Sequence, residues 1–194
     1  ALSGLLFLYR QVLGVDLPWM NEIGRPPQRV RIPAVLTLDE VARLLPAVQG
    51  EPEALLVRLL YGTGLRLLEG LSLRVKDVDF ERNVIIVREG KNAKDRVVML
   101  PKSLHDGLAL QLRHAKGVWL QDRARQATGV ELPHALEVKY PRANLSWGWF
   151  WLFPAAREST CPRTGVIRRH HVFEQRLQRA MKPAAHKAGI TKHV

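Results

Sequence analysis

Tyr61-Gly62-Thr63-Gly64-Leu65-Arg66-Leu67-Leu68-Glu69-Gly70-Leu71 is the stretch from which the fold is read. Before it, Ala54-Leu55-Leu56-Val57-Arg58-Leu59-Leu60 is apolar almost throughout and predicts a mostly buried helix, with Tyr61 closing the buried run. The paired glycines then permit a turn with positive φ, which a bulky residue resists. Arg66 is thus delivered from a rigid apolar element, and Glu69, about one helical turn later, is spaced to orient its guanidinium. A guanidinium held in this way suits two-point capture of a phosphate or carboxylate. The same residues also read as a glycine-capped helix followed by a surface arginine.

Toward the N-terminus, Thr37-Leu38-Asp39-Glu40 has the form of a capping box and opens a helix with Val41, Leu44 and Leu45 on one face. Residues 37–194 are therefore expected to form the compact domain. Residues 24–36 are Pro-rich and basic and predict an extended linker, whose three arginines either track a phosphate backbone or simply keep the linker solvated. Residues 1–23 place Leu5, Leu6, Leu8, Val12, Leu13 and Val15 at roughly helical spacing and break at Leu17-Pro18, as one helix cut from something larger.

Toward the C-terminus, Val75 to Phe80 lead into Val84-Ile85-Ile86-Val87, a β-branched strand whose partner is Val97-Val98-Met99-Leu100. The residues between them contain Gly90 and Asn92, suit a hairpin loop, and project Lys91 and Lys94 outward. A helix is expected from Ser103 to about Thr128-Gly129, with Leu108, Leu110, Leu112 and Trp119 on its apolar side. Residues 130–165 differ: four prolines interrupt them, and Trp147, Trp149, Phe150, Trp151 and Phe153 crowd into an inserted aromatic helix. Arg168 to about Met181 predicts a last helix with Phe173, Leu177 and Met181 inward and Arg169, Arg176 and Arg179 outward. The fold class is therefore α+β, mainly helical, with a small antiparallel sheet.

With 194 residues and 46% hydrophobic content, the chain can bury one real core. A formal net charge of +12 points to a polyanionic partner, because Lys and Arg contacts release counterions from nucleic acid. The one cysteine, Cys161, excludes an internal disulfide and fits a reducing compartment. No run of about 18 apolar residues indicates a membrane span, and Leu5-Leu6-Phe7-Leu8 lacks the flanks of a signal peptide. His170 and His171 invite a metal reading, yet adjacent helical residues point about 100° apart and no Cys or carboxylate cluster completes a site. No metal is expected.

Thr63-Gly64-Leu65-Arg66 with Glu69, followed by Gly90-Lys91-Asn92-Ala93-Lys94-Asp95-Arg96 in a hairpin, resembles the tyrosine recombinases. Lys139-Tyr140-Pro141-Arg142-Ala143, Trp147-Gly148-Trp149 with Phe153-Pro154, and Pro162-Arg163 ahead of Val166 to His171 resemble the insertion of integron integrases within them. The resemblance implies that residues 1–23 are the last helix of a core-binding domain and 37–194 an incomplete catalytic domain. It implies that Arg66 grips the scissile phosphate and that Lys91 is the general acid toward the departing 5′ oxygen. The plainer reading of Lys91 is a solubilising hairpin lysine. Lys94 and Arg96 are assigned to backbone contacts. Lys139, Trp149, Pro162, His170 and His171 would hold bases extruded from a folded single-stranded hairpin, since aromatic rings stack on bases at about 1–3 kcal/mol each. Trp147 and Trp151 are expected to pack internally. The partner so implied is recombination-site DNA, bound by a homo-tetramer of the complete protein in a bacterial cytoplasm. No cofactor is implied, because transesterification conserves the phosphodiester energy in a tyrosyl bond.

The resemblance also exposes what is absent. The family uses a His-x-x-Arg pair and a nucleophilic tyrosine. None of the seven histidines is followed by Arg three residues later, and Tyr9, Tyr61 and Tyr140 do not match the nucleophile. A chain that starts with Ala1 and stops at Val194 is accordingly expected to be truncated at both ends and inactive alone. Pro183 is expected to disturb the last helix. Two readings from different classes follow: a recombinase fragment, or a non-catalytic module that binds folded single strands. A merely basic nucleic-acid-binding protein is the third.

Overall fold

Helix α3 (Glu53–Thr63) follows from its composition: Ala54, Leu55, Leu56, Val57 and Leu59 are all buried. Gly64 ends it in left-handed backbone, φ 64°, with its N–H returning to the Leu60 carbonyl at 3.0 Å. Gly62 stays within the helix, so one glycine of the pair makes the turn. Tyr61, expected to be buried, is 55% exposed, because it shares a flank with the exposed Arg58 three residues earlier. The chain re-enters helix immediately as α4 (Leu67–Leu71). In this computed structural model the residues described are 2–17, 34–88, 95–133, 136–161 and 164–192.

The chain divides into two units, residues 1–35 and 36–194. The first contains α1 (Leu2–Phe7), which continues as a π-helical turn over Leu8–Val12. Residues 24–33 of the expected linker lie outside the described residues.

In the second unit, α2 (Leu38–Ala47) begins on the expected capping box. Thr37 Oγ1 accepts from the Glu40 N–H at 3.2 Å, and Glu40 Oε2 accepts from the Thr37 N–H at 2.7 Å. β1 (Val78–Asp79), β2 (Val84–Val87) and β3 (Arg96–Met99) form an antiparallel sheet in that order, with Ile85 opposite Val98 and Val87 opposite Arg96. The sheet has one strand more than the hairpin expected. The second hairpin strand starts one residue early, at Arg96, and Leu100 is buried just beyond it.

A 3-10 turn over Lys102–Leu104 precedes α5 (His105–Ala124). This helix stops short of Thr128-Gly129, because Gln126 takes positive φ, and Leu110, expected on the apolar side, is 59% exposed. Among the described residues of 130–165 the one α-helical turn is α6 (Leu136–Lys139), with 3-10 turns over Ala143–Leu145 and Trp147–Trp149. The aromatic element is thus a 3-10 turn and not a regular helix.

The last helix corrects the sequence reading most. Ala155 N–H donates to the His170 carbonyl and Val172 N–H to the Phe153 carbonyl, and β4 (Ser159–Thr160) pairs with β5 (Ile167–Arg168). Those long-range bonds hold 167–172 extended, so α7 (Glu174–Lys187) begins six residues later than Arg168 and runs through Pro183. Arg169, expected outward, is 4% exposed, and Phe173, expected inward, is 56% exposed. Leu177 is buried as expected. α7 packs on α2, α3 and α4 over the main core, and Arg176 forms an ion pair with the buried Glu53 of α3. A smaller core gathers Ala115, Val130, Phe150 and Trp151.

Candidate nucleic-acid interface

Arg66 occupies the N-cap position of α4 in extended backbone. Its N–H donates to Glu69 Oε2 and its Nη1 to Glu69 Oε1, both at 2.8 Å. The Glu69 carboxylate also accepts two bonds from Arg96, at 2.8 and 2.6 Å, and its side chain is 10% exposed. One carboxylate therefore joins two guanidinium groups, Arg66 three residues and Arg96 27 residues away from it. The Arg96 hydrogen bonds, and then the Arg66 N–H and guanidinium, hold the Glu69 carboxyl well below its ordinary range, at about 2. Glu69 stays ionised. The Arg66 side chain is 57% exposed, and only Nη1 donates to Glu69, which leaves most of its donor fork for an incoming anion.

Arg96 faces Val87 across the end of the hairpin, so its grip on Glu69 fixes the hairpin base beside Arg66. Lys91 and Lys94, on the loop that leaves this base, lie outside the described residues, as does Pro162. Gly70 has its own reason: a Cβ there would come within 2.6 Å of Leu60 Cδ2, so its absence lets α4 approach α3.

The insertion is assembled around Arg74, which is 8% exposed. Its guanidinium lies 3.9 Å from the Trp151 ring centre, and it donates to the Trp149 and Glu131 carbonyls, both at 2.7 Å. Trp151 is buried and donates from Nε1 to the Arg169 carbonyl at 2.9 Å. Arg169 in turn meets the buried Asp122 at 2.5 and 2.6 Å. Trp147 packs on Trp119 and Phe150, with Lys116 over the Trp147 ring. Trp147 and Trp151 are thus structural, as their spacing suggested.

Trp149 is half-buried, with the Lys76 ammonium 2.9 Å and the Arg74 guanidinium carbon 5.2 Å from its ring centre. A cleft of about 140 Å³ has Glu69 and Arg74 among its walls, together with Trp149 and Trp151, and so joins the Arg66 corner to the insertion. His171 sets its ring edge-on to Trp151, with Nδ1 2.8 Å from the Val172 carbonyl. His170 is half-buried, and its Nε2 is buried without a hydrogen-bond partner. Burial, opposed by the Glu131 carboxylate, pushes the His170 imidazole down and favours its neutral form. Lys139 is exposed at the end of α6, with its ammonium 5.4 Å from the Tyr140 ring centre.

The structure therefore brings Arg66 and Arg96 together through Glu69, and Trp149 and His171 into one aromatic group through Arg74 and Trp151. Sequence reasoning missed Arg74 and Lys76. The basic pair Arg74-Val75-Lys76 is visible, but nothing local links it to tryptophans some 75 residues away. Among the described residues no three His, Cys, Asp or Glu side chains gather as metal ligands. Among the same residues no helix is long and apolar enough to cross a membrane.

Comparison with known proteins gives concordant results. A family model described as phage integrase family matches residues 34–194. Proteins named integrase/recombinase from Escherichia coli and Pseudomonas aeruginosa are each 57% identical over 192 residues, covering 99% of this chain and 57% of their own length. The chain thus spans little more than half the length of those relatives. The tyrosine recombinase XerA of Thermococcus kodakarensis is 41% identical over 109 residues, covering 53% of this chain and 39% of its own. Among solved structures, the XerH site-specific recombinase bound to difH substrate in a pre-cleavage complex shares the fold. Its TM-score is 0.54 at 20% identity, over 99% of this chain and 48% of that one.

Proposed function

Because the chain belongs to the phage integrase family of tyrosine recombinases, we propose that its second unit is the front half of a catalytic domain that binds recombination-site DNA. The observation that carries this reading is the Glu69 clamp. It presents Arg66 at a helix N-terminus and anchors the base of the Lys91 hairpin next to it. In the complete protein, Arg66 holds a non-bridging oxygen of the scissile phosphate and stabilises the charge that grows as a tyrosine oxygen attacks phosphorus. The 5′ oxygen leaves with the electrons of the broken P–O bond and takes a proton from Lys91. Family resemblance supplies the roles of Lys91 and the tyrosine.

The finer reading is an integron integrase, whose insertion reads bases extruded from a folded single strand. It is supported by the aromatic content of residues 130–165, by the partial exposure of Trp149, His170 and His171, and by the cleft that Trp149 shares with Glu69. Tetramer assembly on DNA belongs to that same reading. A non-catalytic binding module is the second reading, favoured by the net charge of +12 and the aromatic content of residues 130–165.

Two measurements test these readings. Binding to a hairpin with extruded bases, against plain duplex at fixed salt, is expected to favour the hairpin; Arg66→Ala should lower the slope of log affinity against log salt by about 0.7–0.9. Equal binding to both DNAs would remove the integron reading. Incubation with a nicked suicide substrate is expected to yield no covalent adduct, and an adduct at a tyrosine would refute the assignment of this chain as non-cleaving.

A further inference from the structure

Lys76 has no part in the reading above, yet its side chain ends at the residue on which base recognition depends. It lies in a 3-10 turn, Val75–Asp77, whose Val75 N–H donates to the Phe150 carbonyl at 3.0 Å. The backbone beneath it is thereby bound to the insertion. Gly148 flanks its stem, a Cβ built there lying 3.7 Å from the Lys76 Cβ. The ammonium comes to rest 2.9 Å from the Trp149 ring centre.

Of the two cations over that ring, Arg74 is fixed, being 8% exposed and donating to two carbonyls. Lys76 is the displaceable one: among the described residues its ammonium makes no hydrogen bond or ion pair, and it rests on the ring face with the Asp77 carboxylate attracting it short of an ion-pair contact. We propose that Lys76 is a specificity-determining residue of this interface, occupying the Trp149 face that an extruded base must take, so that a base enters only by displacing the ammonium. This rests on the reading of Trp149 as a stacking platform.

The competing interactions are of similar size. A cation on an indole contributes about 2- to 30-fold in an equilibrium constant, and a base stacked on an aromatic ring about 5- to 150-fold. Lys76 therefore sets a threshold and does not block the site. A well-stacking base passes it, while an abasic position leaves the lysine in place.

The charged groups around the amine act on the same balance. Burial comes first, followed by Arg88 just past the end of β2 and then Arg74, and together they push the Lys76 amine down to about 8 against the opposing Asp77 carboxylate. Raising the pH through that value weakens its hold on the ring.

The test uses this chain and three DNAs: a hairpin with one extruded adenine, the same hairpin abasic at that position, and a duplex of equal length. Fluorescence anisotropy gives the affinity ratio of extruded-base to abasic hairpin. Lys76→Met keeps the apolar stem and is expected to raise that ratio about threefold to tenfold. Lys76→Arg should keep it low, because guanidinium also sits on indole. In wild type the ratio should climb between about pH 7 and 9, and in Lys76→Met it should stay flat. Trp149→Ala should collapse the ratio to about one in either background.

An unchanged or lowered ratio in Lys76→Met, with Trp149→Ala still collapsing it, overturns the role of Lys76 alone. A wild-type ratio that Trp149→Ala does not move overturns the stacking reading, and the proposal falls with it. A far-UV circular dichroism spectrum and urea midpoint matching wild type show that Lys76→Met is folded. Should that variant unfold, the wild-type pH series decides: a flat ratio refutes the proposal.

Discussion

Around Arg66 the principal contact is local, with Glu69 three residues away and one bridge to Arg96 across 27 residues. Around the tryptophans the contacts that hold the group together are distant in sequence: Arg74 reaches the Trp149 carbonyl across 75 residues and that of Glu131 across 57, and Asp122 reaches Arg169 across 47. The chemistry differs as well. Glu69 neutralises one of the two cations it joins, whereas indole rings attract Arg74 and Lys76 without cancelling their charge. The first region is therefore a self-contained clamp with one arginine to spare. The second pairs Arg169 with Asp122 and sets Arg74 and Lys76 against indole faces, and it depends on the completed fold to exist. That division makes the two regions fail differently, and each of the following substitutions tests it.

The largest effect is expected from Asp122→Asn. Asp122 and Arg169 are 1% and 4% exposed, and the carboxylate also receives Arg125. Removing the negative partner leaves Arg169 buried and unpaired, at a cost of about 3–5 kcal/mol in urea denaturation. Amide exchange should quicken in 150–172 before it does in α3 and α4. A loss below about 1 kcal/mol would show that the insertion does not hang on this pair.

Next is Gly129→Ala. Gly129 has φ 98°, and a Cβ there would lie 2.6 Å from the Asn144 carbonyl oxygen, a backbone atom with nowhere to go. The strain and the loss of the Val130 N–H bond to Asn144 are expected to cost about 3 kcal/mol. Hairpin preference should fall more than duplex affinity.

Glu69→Gln comes third, at about 2 kcal/mol, reduced because both arginines it joins are part-exposed. Its pH signature is specific. The Glu69 carboxyl is depressed from 4.5 to about 2, so its contribution is complete above pH 4.5 and is lost as the pH falls toward 2. Over that window Glu69→Gln should flatten the decline in stability seen by denaturant titration. An unchanged decline would mean that the clamp is not formed in solution.

Much of the first region was legible because its determinants are adjacent in sequence. The apolar run before Gly64, the Arg66/Glu69 spacing and the Thr37/Glu40 capping box all act within four residues, where helical geometry decides the outcome. The insertion was legible only as composition. Residues 168–173 have helical patterning, but hydrogen bonds to Phe153 and Ala155 hold them extended, and this inverts the expected positions of Arg169 and Phe173. Local patterning carries no record of such partners. Hence Trp147 and Trp151 were assigned to packing from their alternation, while Arg74 and Lys76, whose cations lie over the indole rings, were passed over.

The smallest effect is expected where a glycine appears just as crowded. At Gly70 a new Cβ would also fall 2.6 Å from a neighbour, yet that neighbour is Leu60 Cδ2, the far end of a flexible side chain that is only partly buried. Leu60 can rotate away, and the overpacking cost of roughly 1–2 kcal/mol is offset by about 1 kcal/mol of helix propensity gained in α4. Gly70→Ala should therefore shift stability by no more than about 1 kcal/mol in the same denaturation experiment, against about 3 for Gly129→Ala. Equal losses at the two positions would mean that α3 and α4 cannot give where they touch, and that Arg66 is held by the packing under α4 as much as by Glu69.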